Sequence, residues 1–449
     1  MPRTTLLVLP VAIATACHSY QPEPIDLRAH LAAFAARLPD SALRAPDAAD
    51  EAPRPIDLAD GLDLREARLV ALCFAPACRE ARAAAGIAAR EQEHAADWPA
   101  PTLSLDVARI LETVPHQWLA GATLGFTVPL SGRLGLQQQL ATAKLQEKVL
   151  AAYIIERATA DAVDAAWVRW SIECQRIELL TGLCEQVQQL AAIAARLEQA
   201  GALTHLGARV FTIEGTQREL ELANAQDAAA FAELELKKLL GLHPGAAVTF
   251  VPTTAITLRE QDPGQRAARL DLSANVLPHH AAYQTAEAEL KLAVRMQWPD
   301  LVLSPGWQEE DAEPRAALGL SVPLPFWSYA AIARASAVRL SAAESLRASL
   351  EVAVQTLALA ELRWTQASRR RQFVTERLLP LADQQIADGR AMAELGQLDP
   401  VLLLDAIARA HDARLAALDA TLREALAVIY INACCSLAAD ATPPVSGGL

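Results

Sequence analysis

Four carboxylates crowd one short segment: Glu309, Glu310, Asp311 and Glu313. Acidic side chains this close together concentrate cations when they line a mouth, and otherwise keep a loop solvated. A further carboxylate, Asp405, falls in a later stretch of helical periodicity. No nucleophile–base pair, phosphate loop or metal-ligand spacing accompanies them, so neither catalysis nor a cofactor nor a bound metal is expected. Among the seven cysteines, Cys73, Cys78, Cys174, Cys184, Cys434 and Cys435 fit no paired C-x2-C zinc pattern. They read as buried small hydrophobes, with one local disulfide permitted after export. The nine histidines are scattered singly apart from His279-His280, a distribution that suits structural or solvated roles rather than ligation. Cys17 differs. Arg3 supplies a charged start, residues 6–14 a short apolar run, and Ala14-Thr15-Ala16 small residues before the thiol. This pattern predicts a signal peptide over residues 1–16, cleavage before Cys17 and lipid acylation of its sulfur.

The elements around these residues follow from bulk properties and from repetition. The 449-residue chain is 52% hydrophobic but only 5% aromatic. That content is largely Ala and Leu, which favours closely packed helices. A net charge of -13 argues against a nucleic-acid partner, which requires a basic face. No window of 18 uninterrupted apolar residues appears, so no transmembrane helix is expected in the mature chain. Residues 123–130 (TLGFTVPL) and 317–324 (ALGLSVPL) share five of eight identities. Leu62-Asp63-Leu64 recurs as Leu270-Asp271-Leu272, Trp98-Pro99 as Trp298-Pro299, and Gly201 as Gly396, all in the same order. These landmarks divide the chain into an extended arm over 17–61, a first repeat over 62–243, a Pro/Gly-rich linker over 244–266, a second repeat over 267–438 and a tail over 439–449.

Each repeat contains two runs of period-two alternation, at about 101–130 and about 300–324. Leu103, Leu105 and Val107 alternate with Ser104, Asp106 and Ala108; Leu318, Leu320 and Val322 alternate with Ala317, Gly319 and Ser321. Such runs are half-buried strands, and roughly ten residues also suits a tilted membrane strand. Trp98, Trp118, Trp298, Trp307 and Trp327 fall at or near the strand ends, as an interfacial aromatic girdle requires. Four strands cannot close a barrel, and open sheet edges are forbidden in lipid, so membrane-spanning strands here demand several chains in one barrel.

Long helical readings follow the strands. The first runs over about 134–200, with Leu179, Leu183, Val187, Leu190, Ile193 and Leu197 at steps of three and four. At 1.5 Å per residue it is on the order of 100 Å long. Gly201 stops it and Thr204 caps a return helix to about 240. In the second repeat, Gly396 and Asp399-Pro400 supply the same kind of turn. Helices over 64–97 and 204–240, end to end, span roughly the length of the long helix, so a wall of parallel rods is expected.

These features together resemble the TolC-like outer-membrane efflux protein family, over about residues 17–440. The resemblance rests on Cys17, the duplicated strand–Val-Pro-Leu–helix pattern, Leu239-Leu240-Gly241-Leu242, and the turns at Gly201 and Gly396. It implies a fold that is mainly α with a small transmembrane β part: a long α-helical barrel below a shared β-barrel, four strands per chain and twelve in a homotrimer. It implies a lipid-anchored location in the outer membrane, extending into the periplasm. The implied partners are outer-membrane lipid, a periplasmic adaptor (membrane fusion) protein and a proton-driven inner-membrane pump. The turns that would meet the adaptor are Gly201, Ala202, Leu203 and Thr204, and Gly396, Gln397, Leu398 and Asp399. Asp405 matches an acidic position that constricts the periplasmic gate. Ser131-Gly132-Arg133 resembles the heavy-metal efflux branch. The rival reading is a long-hairpin structural or adaptor lipoprotein of the envelope.

Overall fold

The computed structural model describes residues 20–39, 60–109, 111, 118–259, 262–310, 313–323, 329–394 and 400–435. Cys17, Asp311, Trp327, the turn residues Gly396, Gln397, Leu398 and Asp399, and the C-terminal tail lie outside the described residues.

The described helices and strands follow one another in an order that occurs twice. After a short α1 (Leu27–Ala35) come α2 (Leu64–Phe74), α3 (Pro76–Glu93), β1 (Thr102–Arg109), β2 (Trp118–Val128), α4 (Arg133–Gln199) and α5 (His205–Leu239). A one-turn α6 (Pro263–Ala268) and a 3-10 turn at Leu270–Leu272 lead into the second series. This comprises α7 (Leu277–Arg295), β3 (Leu301–Glu310), β4 (Glu313–Ser321), α8 (Tyr329–Phe373), α9 (Leu379–Glu394) and α10 (Pro400–Cys434). The chain is mostly helical with one small antiparallel sheet, as its sequence suggested.

Two helices differ from their sequence readings, and proline explains both. The helix expected over 64–97 breaks at Ala75, whose ψ of 129° is the extended conformation that the Pro76 ring imposes on its predecessor. The long helix of the second series is interrupted by a π-helical turn at Val374–Leu378. Pro380 has no N–H for the Glu376 carbonyl and its ring crowds that carbonyl, so the backbone widens by one residue to pass it. By contrast α4 runs 67 residues without a break, and no proline lies within it.

The main core lies within the first series, where α2, α4 and the end of α5 meet under the linker. Leu62, Val70, Val163, Trp167, Leu236 and Leu240 are fully buried together. Trp167, Trp170 and Phe250 meet edge to face with centroids 5.3–5.9 Å apart. Gly241 passes so close to α2 that a Cβ there would lie 2.3 Å from the Phe74 carbonyl oxygen, and its φ is +66°. Only glycine fits on both counts, which gives Leu239-Leu240-Gly241-Leu242 its physical meaning. The linker after it is extended and strapped down by buried side chains. Ser171 Oγ accepts from Thr253 N–H, and Asn432 both accepts from Arg259 N–H and donates to the Thr257 carbonyl. Among the described residues no helix is long and apolar enough to cross a membrane.

Candidate functional site

The sheet is a meander in the order β1-β2-β3-β4, every neighbour antiparallel. Its register sorts the side chains into two unlike faces. Leu103 lies across Leu124, Leu105 across Ala122, Ala122 across Trp307, Phe126 across Leu303, and Leu303 across Leu320. That face is apolar from edge to edge. The other face carries Ser104 across Thr123, Thr123 across Gly306, Gly306 across Ala317, and Ser304 across Gly319. It is built of small and hydroxylated residues. A Cβ at Gly125 would lie 2.5 Å from Thr102 Oγ1, and one at Gly306 3.0 Å from Thr123 Oγ1, so the glycines let hydroxyls lie flat against the sheet. No helix among the described residues covers either face: Leu105, Val107 and Leu318 are each at least 70% exposed. Trp98, Trp118 and Trp298 are exposed, and Trp118 opens β2 on the apolar face. Trp307 departs from its expected place at a strand end and sits within β3 on that face.

The acidic cluster does not stay together. Period-two geometry puts Glu309 on the apolar side, across Pro314, while Glu313, next to Pro314 in β4, falls on the other side. Sequence proximity hid this split. It also hid a polar row on the small-residue face: Asp106, Gly121, Gln308 and Arg315 are successive partners across the four strands. The clue was present in the alternation, where Asp106 is the one charged residue among small ones. At the far end of the apolar face Arg109 stacks over Trp118, 5.6 Å from the ring centroid.

A salt bridge joins this sheet to the rods. Arg133, the first residue of α4, pairs with Asp300 at the entry to β3 at 2.9 Å, both largely buried. Deeper down, Arg68 of α2 holds Asp164 of α4 through two contacts of 2.5 and 2.8 Å. Burial raises Asp164, with the Arg68 hydrogen bond opposing. Asp161, one turn away, has Arg157 at 3.6 Å, and burial pushes its carboxyl up to about 6. The six described cysteines are free thiols; burial pushes Cys434 up to about 11.

The far ends of the rods carry the turns. Gly201 adopts φ +71°. Its N–H donates to the Glu198 carbonyl, and Ala202 and Leu203 both donate to Leu197. The last carbonyls of α4 are thereby satisfied. Thr204 Oγ1 accepts from Gly207 N–H at 3.1 Å and starts α5. His205 Nδ1 meets Glu198 at 2.6 Å and ties the two helices across the turn. Gly201, Ala202 and Thr204 are exposed, as is Leu206 beside them. Asp405, near the start of α10, is exposed but not alone: Arg409, one turn on, donates to it at 2.7 Å. That pairing, which the sequence reading did not include, raises the Arg409 guanidinium.

No protein-family model matches this chain, and no curated protein matches it. Solved structures do. A crystal structure of CusC, described in terms of folding and transmembrane channel formation, matches with a TM-score of 0.72 at 14% identity, over 83% of this chain and 92% of that one. A membrane protein from Pseudomonas aeruginosa matches at 0.71 and 17% identity, over 83% and 89%. The outer membrane protein VceC of Vibrio cholerae matches at 0.69 and 15%, over 83% and 96%. CusC and VceC are TolC-family outer-membrane channels. At these identities the likeness is one of fold, and at that level the resemblance read from the sequence holds.

Proposed function

We propose that this chain is the outer-membrane channel subunit of a tripartite efflux pump, conducting small molecules or metal ions passively from periplasm to exterior. One observation carries the reading: a four-stranded sheet with one apolar face, one small polar face, neither covered by the chain. Lipid is the solvent that suits the first face and a water-filled lumen the second. The sheet's outer edges, on β1 and β4, pair with no strand among the described residues. In lipid they must pair with other copies, and three chains supply twelve strands. The fold shared with CusC and VceC supports the same assignment.

The remaining parts take roles in that frame. Acylated Cys17 anchors the chain to the outer membrane. The turns at Gly201–Thr204 and Gly396–Asp399 meet a periplasmic adaptor, behind which stands a proton-driven inner-membrane pump. Asp405 contributes to the periplasmic gate as an Arg409 ion pair. Glu309, Glu310, Asp311 and Glu313 supply the carboxylates of the outer mouth. The chain performs no chemistry; the pump supplies the energy. Metal ions as substrate find support in Ser131-Gly132-Arg133 and in the likeness to CusC. The test is extraction of the full chain from outer membranes, with native mass and heat-modifiability on gels. A trimer is expected; a soluble monomer would sink the proposal. Loss of efflux in a deletion strain, compared for metal salts and organic drugs, sorts the substrate.

A further inference from the structure

The row of Asp106, Gly121, Gln308 and Arg315 has no counterpart lower on its face. β1 and β3 both enter the sheet from the rods, so Thr102 and Leu301 mark its near end. From there the small-residue face presents Thr102, Ser104, Thr123, Ser304, Gly306 and Gly319. The next row outward changes character: acid, glycine, amide, guanidinium. Gly121 leaves a gap in it. A Cβ there would lie 3.4 Å from Gln308 Cγ and 3.8 Å from Asp106 Cβ, so those two side chains rise on either side of a bare strand. Asp106, Gln308 and Arg315 are all exposed. Burial therefore does not explain them, and a wall of Ser, Thr, Gly and Ala needs no charge to keep its shape.

The distances suit a filter. Neighbouring strands lie about 4.8 Å apart, so Asp106 on β1 and Arg315 on β4 stand about 14 Å apart along the wall. Twelve tilted strands closed into one barrel give that wall a radius of about 12 Å. Its charges then sit about one Debye length from the axis at 0.1 M salt, within reach of any solute that passes. Around the barrel the row alternates in sign, acid then base in each copy. Such a band has no net charge, so it concentrates neither cations nor anions. Its field acts on a solute that carries both signs. A cationic end is drawn to Asp106 and an anionic end to Arg315, and the Gln308 amide between them can donate to one and accept from the other. Glu313, one row further out on the same face, acts differently, because it adds net negative charge.

We propose, building on the channel reading, that Asp106, Gln308 and Arg315 form a bipolar filter in the lumen wall that favours zwitterionic solutes. The full chain, purified from outer membranes and placed in planar bilayers, tests this. Tetraglycine is the probe: it is a zwitterion whose extended chain spans at most about 14 Å. Its N-acetylated form is an anion and its C-terminal amide a cation. Tetraglycine should dwell in the open channel several-fold longer than either, and Asp106→Asn or Arg315→Gln alone should abolish the difference. In a salt gradient of potassium chloride, Asp106→Asn should move the reversal potential towards anion preference and Arg315→Gln towards cation preference. The double variant should return near the parent. Arg109→Gln removes the same charge from the apolar face and should leave the potential where it was. Because the three row residues are exposed, the variants should assemble as the parent does, which trimer on gels verifies. A conducting trimer with equal dwell times, or with Arg109→Gln as effective as Arg315→Gln, overturns the filter and leaves the channel reading standing. A soluble monomer that does not conduct overturns both.

Discussion

The two long hairpins are built on one plan and held together differently. In the first, α4 and α5 enclose Leu180, Leu183, Val187 and Phe211, large side chains shut away from water. In the second, α9 and α10 meet through Ala382, Ala410 and Ala413, with only Leu379 and Ile386 partly buried beside them. The first hairpin's outgoing helix is continuous, while the second's is broken by the π-helical turn ahead of Pro380. Apolar stabilisation scales with buried area, and a break in the hydrogen-bond ladder is where a helix bends. The second hairpin is thus the looser of the two.

The largest test removes the difference from the strong side. Phe211→Ala empties a fully buried site between α4 and α5 and should cost about 3–5 kcal/mol. Ile386→Ala, in the half-buried seam of the second hairpin, should cost clearly less, about 1–2 kcal/mol. Denaturant unfolding of both variants measures it. Equal losses would mean the two hairpins are equally packed.

Protons should push the two regions in opposite directions. Asp161, beside the root of the first hairpin, has its carboxyl raised from 3.8 to about 6, chiefly by burial. A raised acid favours the protonated fold, so this stability is full below the unfolded value and is lost as pH climbs through 3.8 to 6. The change between pH 4 and pH 7 is about 2–3 kcal/mol, and Asp161→Asn should abolish it. His411, buried in α10 of the second hairpin with Nε2 unbonded, is lowered by burial, then by Arg414 and Arg218. Asp412 opposes this. A lowered histidine favours the neutral fold, so this stability is present above 6.5 and falls away on acidification. Hydrogen-exchange protection, each rate divided into the intrinsic rate at its pH, should rise around Asp161 and fall around His411 from pH 7.5 to pH 5. Matching trends would refute the contrast.

Straightening the weak side is a smaller change. Pro380→Ala returns the missing N–H and lifts the clash with Glu376. The bulge already absorbs part of that conflict, so a gain of about 1–2 kcal/mol is expected, well below the full ~3 kcal/mol of an interior proline. Exchange in residues 370–385 should then approach that of the matching part of α4. Were exchange unchanged, the π-helical turn would owe nothing to the proline.

Much of this contrast was readable in the chain, and the unreadable part has identifiable causes. Strand alternation, the Gly201 turn and the length of α4 are local patterns, and each appears where the sequence put it. The Ala75 break and the π-helical turn were also written in plain prolines, yet helical periodicity on both sides of Pro76 and Pro380 masked them. Other features depend on register. The split of Glu309 from Glu313, and the row of Asp106, Gln308 and Arg315, appear only once strands are paired. Buried charge partners such as Arg68 and Asp164 lie 96 residues apart, and no spacing rule joins them. The Asp405–Arg409 pair, by contrast, is an i,i+4 spacing that was available to read.

The smallest effect tests the turn that ends the strong hairpin. Gly201 has φ +71° and nothing within 4 Å of where a Cβ would sit. A side chain there meets no neighbour, so the penalty of Gly201→Ala is the backbone's alone, about 1 kcal/mol. It should fall on the local opening of the α4–α5 turn rather than on the distant core of Trp167 and Leu236. Hydrogen exchange at Ala202 and Leu203, whose N–H groups both donate to the Leu197 carbonyl, would then quicken by about fivefold, since 1.4 kcal/mol is tenfold. Gly201→Asn should do less harm, because asparagine tolerates the left-handed region better. If alanine and asparagine behaved alike, the turn would be held by Thr204 and by the His205–Glu198 contact rather than by glycine. The first hairpin's stability would then reach all the way to its tip.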